Sequence, residues 1–210
     1  MDPWFQTSGL DPDPRIQITS GSPKYEEIKN TENLSKIDYI KLFLKNFYSR
    51  EKSIITDLFY SQIISIYKCI CGKEIYGIQN ILDYPLLLPM KKKKIDLINL
   101  LENYFGEESI EFFETCNNCK KANILHTKNL KIAVPPKILI FSLERKNIIL
   151  NKKNDCIVSL KEELDMANYI DLDLNSGSHL IYKLYGVINH TGSLEVGHYY
   201  SYIKLFDSNI

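Results

Sequence analysis

The sequence has no excess of either charge and no long apolar run. Its 26 lysines and arginines balance its 26 aspartates and glutamates, so no net field favours nucleic acid or a membrane surface as a partner. No stretch approaches the roughly 20 apolar residues that a membrane helix needs, and the N-terminus does not resemble a signal peptide. With 44% hydrophobic residues, the 210-residue chain is predicted to be globular, with a substantial core.

Cysteine is scarce, and it is placed unevenly. None of the five cysteines precedes Cys69, and four of them form close pairs, Cys69 with Cys71 and Cys116 with Cys119. An odd count with close pairs favours metal binding in a reducing compartment over disulfides, so we expect a cytoplasmic and/or nuclear location. The fifth, Cys156, has no helix start or basic cluster beside it that would mark a nucleophile.

The two cysteine pairs predict a metal site. A tight Cys-x-x-Cys turn such as Cys116–Cys119 places both thiolates on one side, and Cys69 and Cys71 would complete a four-thiolate structural Zn²⁺ site. The first pair is one residue shorter than the usual zinc knuckle. The alternative is that Cys69 or Cys71 is buried as a small apolar side chain and that no metal binds.

Local patterns predict a mixture of helices and strands. Residues 1–23 hold four of the eight prolines and show no periodicity, which predicts a disordered leader or arm. Residues 37–48 have an apolar face at helical spacing, with Ser35 as the N-cap. A second amphipathic helix is predicted over residues 91–105, ended by Gly106. Strands are predicted at residues 61–68, 74–84, 134–145 and 180–188.

A β-hairpin is predicted near the end of the chain. Residues 187–192 lead into a short polar turn, and the second strand opens with the pair Gly197-His198. A histidine beside a glycine at a strand start can lie in a crowded cleft and still be reached by a substrate. The alternative is a surface histidine in a turn.

Several of these pieces, in this order, resemble the ubiquitin-specific proteases (ubiquitin carboxyl-terminal hydrolases), papain-like cysteine enzymes that cut ubiquitin from its conjugates. The matching pieces are residues 53–72, the Cys-x-x-Cys turn, residues 134–145 and the histidine box at 182–202. The resemblance implies an α+β fold, with a palm of antiparallel sheet and β-rich fingers carrying a possible zinc ribbon. It divides the chain into the leader (1–23), a helical remnant of the thumb (24–52), fingers with zinc knuckles (53–133) and a palm with the histidine box (134–210).

The resemblance also assigns roles to single residues. His198 matches the general base that takes the proton of a cysteine thiol, so that the thiolate attacks the carbonyl after the last glycine of ubiquitin. Gly197 and Tyr199 would contact the substrate, Gly197 by keeping the cleft narrow for a Gly-Gly tail. Asp207 is a candidate for the acid that orients the imidazole, although residues 205–210 fit a loop before a further strand better. His190 is assigned to packing or a hydrogen bond.

One feature of the family is not found in this sequence. The family nucleophile lies in an Asn-x-x-x-Cys box near the start of the domain, and none of the five cysteines here sits in such a box. We therefore expect the nucleophile outside this chain, and no activity from the chain alone. Two alternatives stay open: a catalytically inactive relative that binds ubiquitin or acts as a scaffold, and a zinc-ribbon interaction module unrelated to ubiquitin. The expected partner is ubiquitin or a ubiquitinated protein, with no nucleic acid and no membrane.

Overall fold

A computed structural model describes residues 34–112, 115–122, 124–147, 151–171, 173 and 180–204. The predicted leader and the candidate acid Asp207 lie outside these residues. Among the described residues, no helix combines the length and the apolar character that crossing a membrane requires.

The described residues form three α-helices and a set of short strands. The helices are α1 (Lys36–Arg50), α2 (Ile54–Phe59) and α3 (Leu97–Tyr104), with a 3₁₀ turn at Ala167–Tyr169. The strands are β1 (Ser61–Cys69), β2 (Glu74–Ile81), β3 (Tyr84–Leu87), β4 (Lys94–Asp96), β5 (Glu108–Phe112), β6 (Ile124–Val134), β7 (Phe141–Glu144), β8 (Lys146–Asn147), β9 (Lys152–Lys153), β10 (Ile157–Ser159), β11 (Glu163–Asp165), β12 (Ile181–Lys183), β13 (Gly186–Gly192) and β14 (Gly197–Ile203).

Local signals place the first two helices. The Ser35 side chain accepts a hydrogen bond from the Asp38 backbone N–H at 3.2 Å, which confirms the predicted N-cap of α1. Helix α2 begins with a capping box, in which Ser53 and Thr56 satisfy each other's backbone N–H groups. Ile40 is the buried residue of α1, and it packs in a small apolar cluster with residues of β1 and β6.

A four-stranded antiparallel sheet in the order β2-β1-β6-β5 is the largest sheet of the described residues. Five two-stranded sheets accompany it. Three are antiparallel (β8–β9, β11–β12 and β13–β14), and two are parallel (β3–β7 and β4–β10). The α+β class is confirmed, and the two parallel pairs are additions that the expected antiparallel palm did not include.

Four predicted elements are shorter or divided in the structure. The strand predicted at 74–84 is two strands, β2 and β3, and the one at 180–188 divides into β12 and β13. The helix predicted at 91–105 begins only at Leu97, because residues 94–96 pair in parallel with β10. The central strand predicted at 134–145 is wrong in extent. Pro135 and Pro136, which have no N–H to donate, separate the end of β6 from the four-residue strand β7.

The main core lies where α3 meets the sheets. Tyr84 is 1% exposed, its hydroxyl lies 2.6 Å from the Ser61 hydroxyl oxygen, and its ring packs against the rings of Tyr104, Phe105 and Phe141. The other residues that are less than 3% exposed in this core are Ile63, Leu86, Leu100, Leu101, Ile132 and Met166. Strand β14, by contrast, is exposed along its whole length.

Candidate active-site hairpin and thiolate cluster

The strands β13 and β14 form the predicted hairpin, and its turn is specified by Gly192. The register pairs Gly192 with Gly197, Thr191 with His198, and His190 with Tyr199. Gly192 has φ +107°, and a Cβ atom there would lie 2.5 Å from the Val196 carbonyl oxygen. Only glycine fits this backbone, so the turn that precedes His198 depends on it.

Gly197 lies against the ring of His190. A Cβ atom on Gly197 would collide with Nε2 of that ring and would lie 2.5 Å from the Thr191 carbonyl oxygen. The His190 ring in turn packs on the Tyr199 ring, with a centroid distance of 4.5 Å. The missing side chain of Gly197 therefore has a structural role within the hairpin, and His190 packs as predicted.

The structure brings His198, Gly197 and Tyr199 together at the start of β14. His198 is exposed, and its backbone carbonyl oxygen accepts a hydrogen bond from the Thr191 hydroxyl at 3.4 Å. Tyr199 is 55% exposed. The imidazole of His198 is thus open to a reacting group from outside the hairpin.

No pattern in the sequence pointed to one further residue beside the hairpin, Lys153. Its amino group donates hydrogen bonds to the carbonyl oxygens of His190 and Gly192, each at 3.0 Å. Lysines are common on surfaces, so no local pattern distinguishes this one from its neighbour Lys152.

Two neighbouring loop tips carry the four clustered cysteines. Cys69 ends β1, and Cys71 lies in the turn to β2, where Gly72 has φ +87°. Cys116 and Cys119 lie in the connection from β5 to β6, in a turn closed by a hydrogen bond from Lys120 N–H to the Cys116 carbonyl oxygen. The tips meet because β1 pairs with β6 up to the end of β1.

The four sulfur atoms are arranged to hold a metal ion. All of them lie within 4.8 Å of one another, and the pairs Cys69–Cys119 and Cys71–Cys116 are each separated by 3.8 Å. A tetrahedral ion with metal–sulfur bonds of about 2.3 Å requires sulfurs about 3.8 Å apart. A disulfide requires about 2.05 Å, and all five cysteines are free.

The surroundings of Cys71, Cys116 and Cys69 shift the pKa values of these three thiols in different directions. The Asn118 amide donates to Cys71 Sγ at 3.4 Å and, with the Lys73 N–H, lowers the pKa of Cys71 to about 6. The N–H groups of Cys119 and Asn118 lower the pKa of Cys116. For Cys69, the Cys71 N–H acts in the same direction, but desolvation and the other three sulfurs outweigh it and raise the pKa to about 12. A metal ion is bound by thiolates, so its binding here would displace the protons that the sulfur atoms carry.

Cys156 is separate from this cluster. It is 3% exposed, its thiol lies 3.8 Å from the Ile157 carbonyl oxygen, and it belongs to the main core. The structure therefore gives it a packing role.

The sequence of this chain is similar to those of known proteins over most of its length. The family model described as ubiquitin carboxyl-terminal hydrolase matches residues 22–210. Ubiquitin carboxyl-terminal hydrolase 21 of Homo sapiens is 30% identical over 174 residues, which are 79% of this chain and 30% of that protein. Ubiquitin carboxyl-terminal hydrolase Usp2 of Drosophila melanogaster is 31% identical over 187 residues, 86% of this chain and 19% of that protein.

Solved structures share the fold. A yeast SAGA DUBm structure superposes with a TM-score of 0.64 at 24% identity, covering 78% of this chain and 38% of that one. A SAGA DUB module bound to monoubiquitin gives 0.66 at 21% identity, with coverage of 87% and 44%. This chain spans less than half the length of each of these four relatives. Because the family model covers nearly all of the sequence, the chain belongs to the ubiquitin carboxyl-terminal hydrolase family.

Proposed function

We propose that this chain is the fingers-and-palm part of a cysteine-type deubiquitinase, which hydrolyses the bond after the C-terminal glycine of ubiquitin. The observation that carries the proposal is the family match over residues 22–210, which includes both the thiolate cluster and the hairpin of His198. The partner would be ubiquitin or a ubiquitinated protein. A cluster of reduced thiols favours a reducing compartment, so we propose a cytoplasmic and/or nuclear location.

His198 would be the general base. Its exposed imidazole accepts the proton of an approaching thiol, and the thiolate attacks the carbonyl carbon of the glycine at the end of ubiquitin. The imidazolium then returns the proton to the leaving amine, and water hydrolyses the thioester. Gly197 and Tyr199, which flank His198, would contact the tail of ubiquitin.

The nucleophile would be a cysteine outside this chain. All five cysteines of the sequence are described, and four of them gather in the thiolate cluster while Cys156 is buried. A buried thiol in apolar surroundings is a poor nucleophile. The orienting acid is not assigned, because Asp207 lies outside the described residues.

The ion held by the four thiolates would be Zn²⁺, in a structural role. Four sulfur ligands within 4.8 Å of one another suit a tetrahedral zinc ion and leave no open position for a substrate or water. The bound ion would join the two loop tips and so fix the outer end of the four-stranded sheet.

Titration of ¹⁵N-labelled ubiquitin with this chain tests the proposed partner. We expect chemical-shift changes on one face of ubiquitin and in its C-terminal tail. Unchanged spectra at high protein concentration would overturn the proposal. A human relative named for the same activity, or a longer chain of this family, serves as the positive control.

Cleavage of a ubiquitin–fluorophore conjugate tests the placement of the nucleophile. We expect no turnover by this polypeptide alone. Robust turnover that ubiquitin vinyl sulfone inhibits would place the nucleophile inside the chain and contradict this part of the proposal.

The absence of an accessible cysteine outside the cluster, among the described residues, also fits a second function: a non-catalytic relative that binds ubiquitin. Assays of ubiquitin binding and hydrolysis on the gene product that contains this sequence distinguish the enzyme from the non-catalytic relative. Binding of ubiquitin with hydrolysis supports the enzyme, and binding without hydrolysis supports the non-catalytic relative.

A further inference from the structure

The side chain of Lys153 joins β9 to the outer edge of the hairpin. Its ammonium group donates to the carbonyl oxygens of His190 and Gly192, both at 3.0 Å, and the side chain is only 15% exposed. An Asp155 carboxylate oxygen lies 4.0 Å away, too far for a strong ion pair. Among the described residues, the two carbonyl groups are thus the closest polar contacts of this ammonium.

The two carbonyl groups belong to the residues on either side of Thr191, which is the residue of β13 that pairs with His198. Thr191 pairs with His198, and His190 and Gly192 lie on either side of Thr191 in β13. Carbonyl groups two residues apart point to the same edge of a strand, so a single ammonium can reach both. Lys153 therefore holds β13 at the level of His198.

The opposite end of the hairpin is held by different groups. The Lys204 N–H donates to the Tyr185 carbonyl oxygen at 2.8 Å, and the Lys204 ammonium lies 3.3 Å from a Glu162 carboxylate oxygen. Strand β14 is exposed along its length, and an isolated two-stranded hairpin is marginally stable in water. The conformation of the hairpin end that carries His198 consequently depends on the contacts that β13 makes with the rest of the chain.

We propose that Lys153 is a positioning residue for His198. Its charge-assisted hydrogen bonds, which are stronger than neutral ones, fix the backbone of His190 and Gly192. The fixed backbone holds the His190 ring against Gly197 and keeps His198 in one place at the start of β14. The role of His198 as the base rests on the proposed function, but the positioning itself does not.

Three variants of the whole chain test the positioning. Lys153→Met keeps the length of the side chain and removes the donor, Lys153→Arg keeps a cationic donor, and Lys152→Met changes the exposed neighbour on the same strand. The readouts are the ¹³C–¹H signals of the His190 and His198 rings, identified among only four histidines, and amide hydrogen exchange of residues 189–199.

For Lys153→Met we expect both ring signals to move toward the positions of an unstructured chain. The amides of Thr191 and His198 should exchange about tenfold faster or more, since two hydrogen bonds to a charged donor are lost. Exchange in β1 and β6 should not change. Lys153→Arg should restore most of the protection, and Lys152→Met should match the unaltered chain.

Unchanged ring signals and exchange in Lys153→Met would overturn the proposal. If Lys153→Met also speeds amide exchange in β1 and β6, the milder variant Lys153→Gln, which keeps a neutral donor, is measured to separate local positioning from general destabilisation. A loss confined to residues 189–199 supports positioning, and an equally broad loss refutes it. All spectra are recorded without ubiquitin, so failure of the unaltered chain to bind ubiquitin would count against the proposed function and not against this result.

Discussion

The space beside Gly197, where other residues carry a side chain, is filled by the side chain of His190. The ring of His190 occupies the space where a Cβ atom would lie, and it packs on Tyr199 as well. Because Gly197 has no side chain, the ring of His190 on β13 can pack against β14 one position before His198. Asn118 has a comparable local role at the thiolate cluster, where its amide donates to Cys71 Sγ.

Gly197→Ala should destabilise the hairpin. The new methyl group would collide with the His190 ring and the Thr191 carbonyl oxygen, and overpacking of this kind costs about 1–3 kcal/mol. We expect the His190 ring signal to shift and ubiquitin affinity to fall. Gly186→Ala is the matched control, because its Cβ would meet only the Tyr202 carbonyl oxygen at 3.9 Å. Equal effects of the two variants would contradict the steric argument.

Asn118→Ala should weaken metal binding. Residues that hydrogen-bond to metal ligands change affinity by about 10–100-fold when they are replaced, and Asn118 is such a residue for Cys71. Competition with a chromophoric chelator measures the affinity of the chain for Zn²⁺. Thr115→Ala, at an exposed position beside Cys116, is the control. If both variants bind Zn²⁺ equally well, the amide has no role in ligation.

Helix α1 is held in place by an ion pair as well as by its apolar face. The Lys36 ammonium lies 2.9 Å from an Asp171 carboxylate oxygen and 2.5 Å from one of Asp173. Burial lowers the pKa of Lys36, but the hydrogen bonds to Asp173 and Asp171 outweigh it and raise the pKa. Asp171 is 4% exposed and follows the 3₁₀ turn, so the contact joins two distant parts of the chain.

Lys36→Met should lower the free energy of unfolding by about 1–3 kcal/mol, less than for a fully buried pair because Asp173 is exposed. Urea denaturation measures the change, and Lys41→Met, on the exposed side of α1, is the control. Because the folded pKa is raised, the contribution of the lysine is complete below its ordinary pKa of 10.5 and declines as the pH rises through the folded value. A difference that vanishes at neutral pH would contradict this assignment.

At the scale of the whole molecule, the main core and the cysteine-bearing loop tips are stabilised in different ways. Around Tyr84 a packed core surrounds α3, whereas the tips that carry Cys71 and Cys116 lie beyond the end of the β1–β6 pairing and contact each other through their sulfur atoms and the Asn118 amide. The hairpin exposes apolar side chains of both strands, including Ile188 at 74% and Tyr202 at 66%. The tips should therefore be the part of the fold most sensitive to metal.

Removal of metal should loosen the tips and spare the core. Elemental analysis of the purified chain should give one zinc per chain, and a chelator should lower Tm and speed amide exchange in residues 69–72 and 115–122. Exchange around Leu100 should change little. A chain purified without chelator that holds no zinc, and whose Tm a chelator does not alter, would contradict a structural metal site.

Features with a local cause could be predicted from the sequence. The N-cap at Ser35, the amphipathic helix α1 and the turn before His198 follow from short-range patterns, and the structure has each of them. The close spacing within each cysteine pair predicted the four cysteines that cluster in the structure, because two cysteines in one short turn lie close together whatever the rest of the fold.

Features that depend on distant pairing required the tertiary structure. Residues 94–96 read as part of a helix, yet they form a strand because β10 pairs with them. The contact of Lys153 with β13 and that of Lys36 with Asp171 join residues far apart in the sequence. The sequence alone determined the family, the candidate base and the four cysteines that cluster, since each is recognised from residue types at a short spacing. Which strands pair, and which lysine contacts β13 beside His198, was decided by hydrogen bonds and burial that form only when the chain folds.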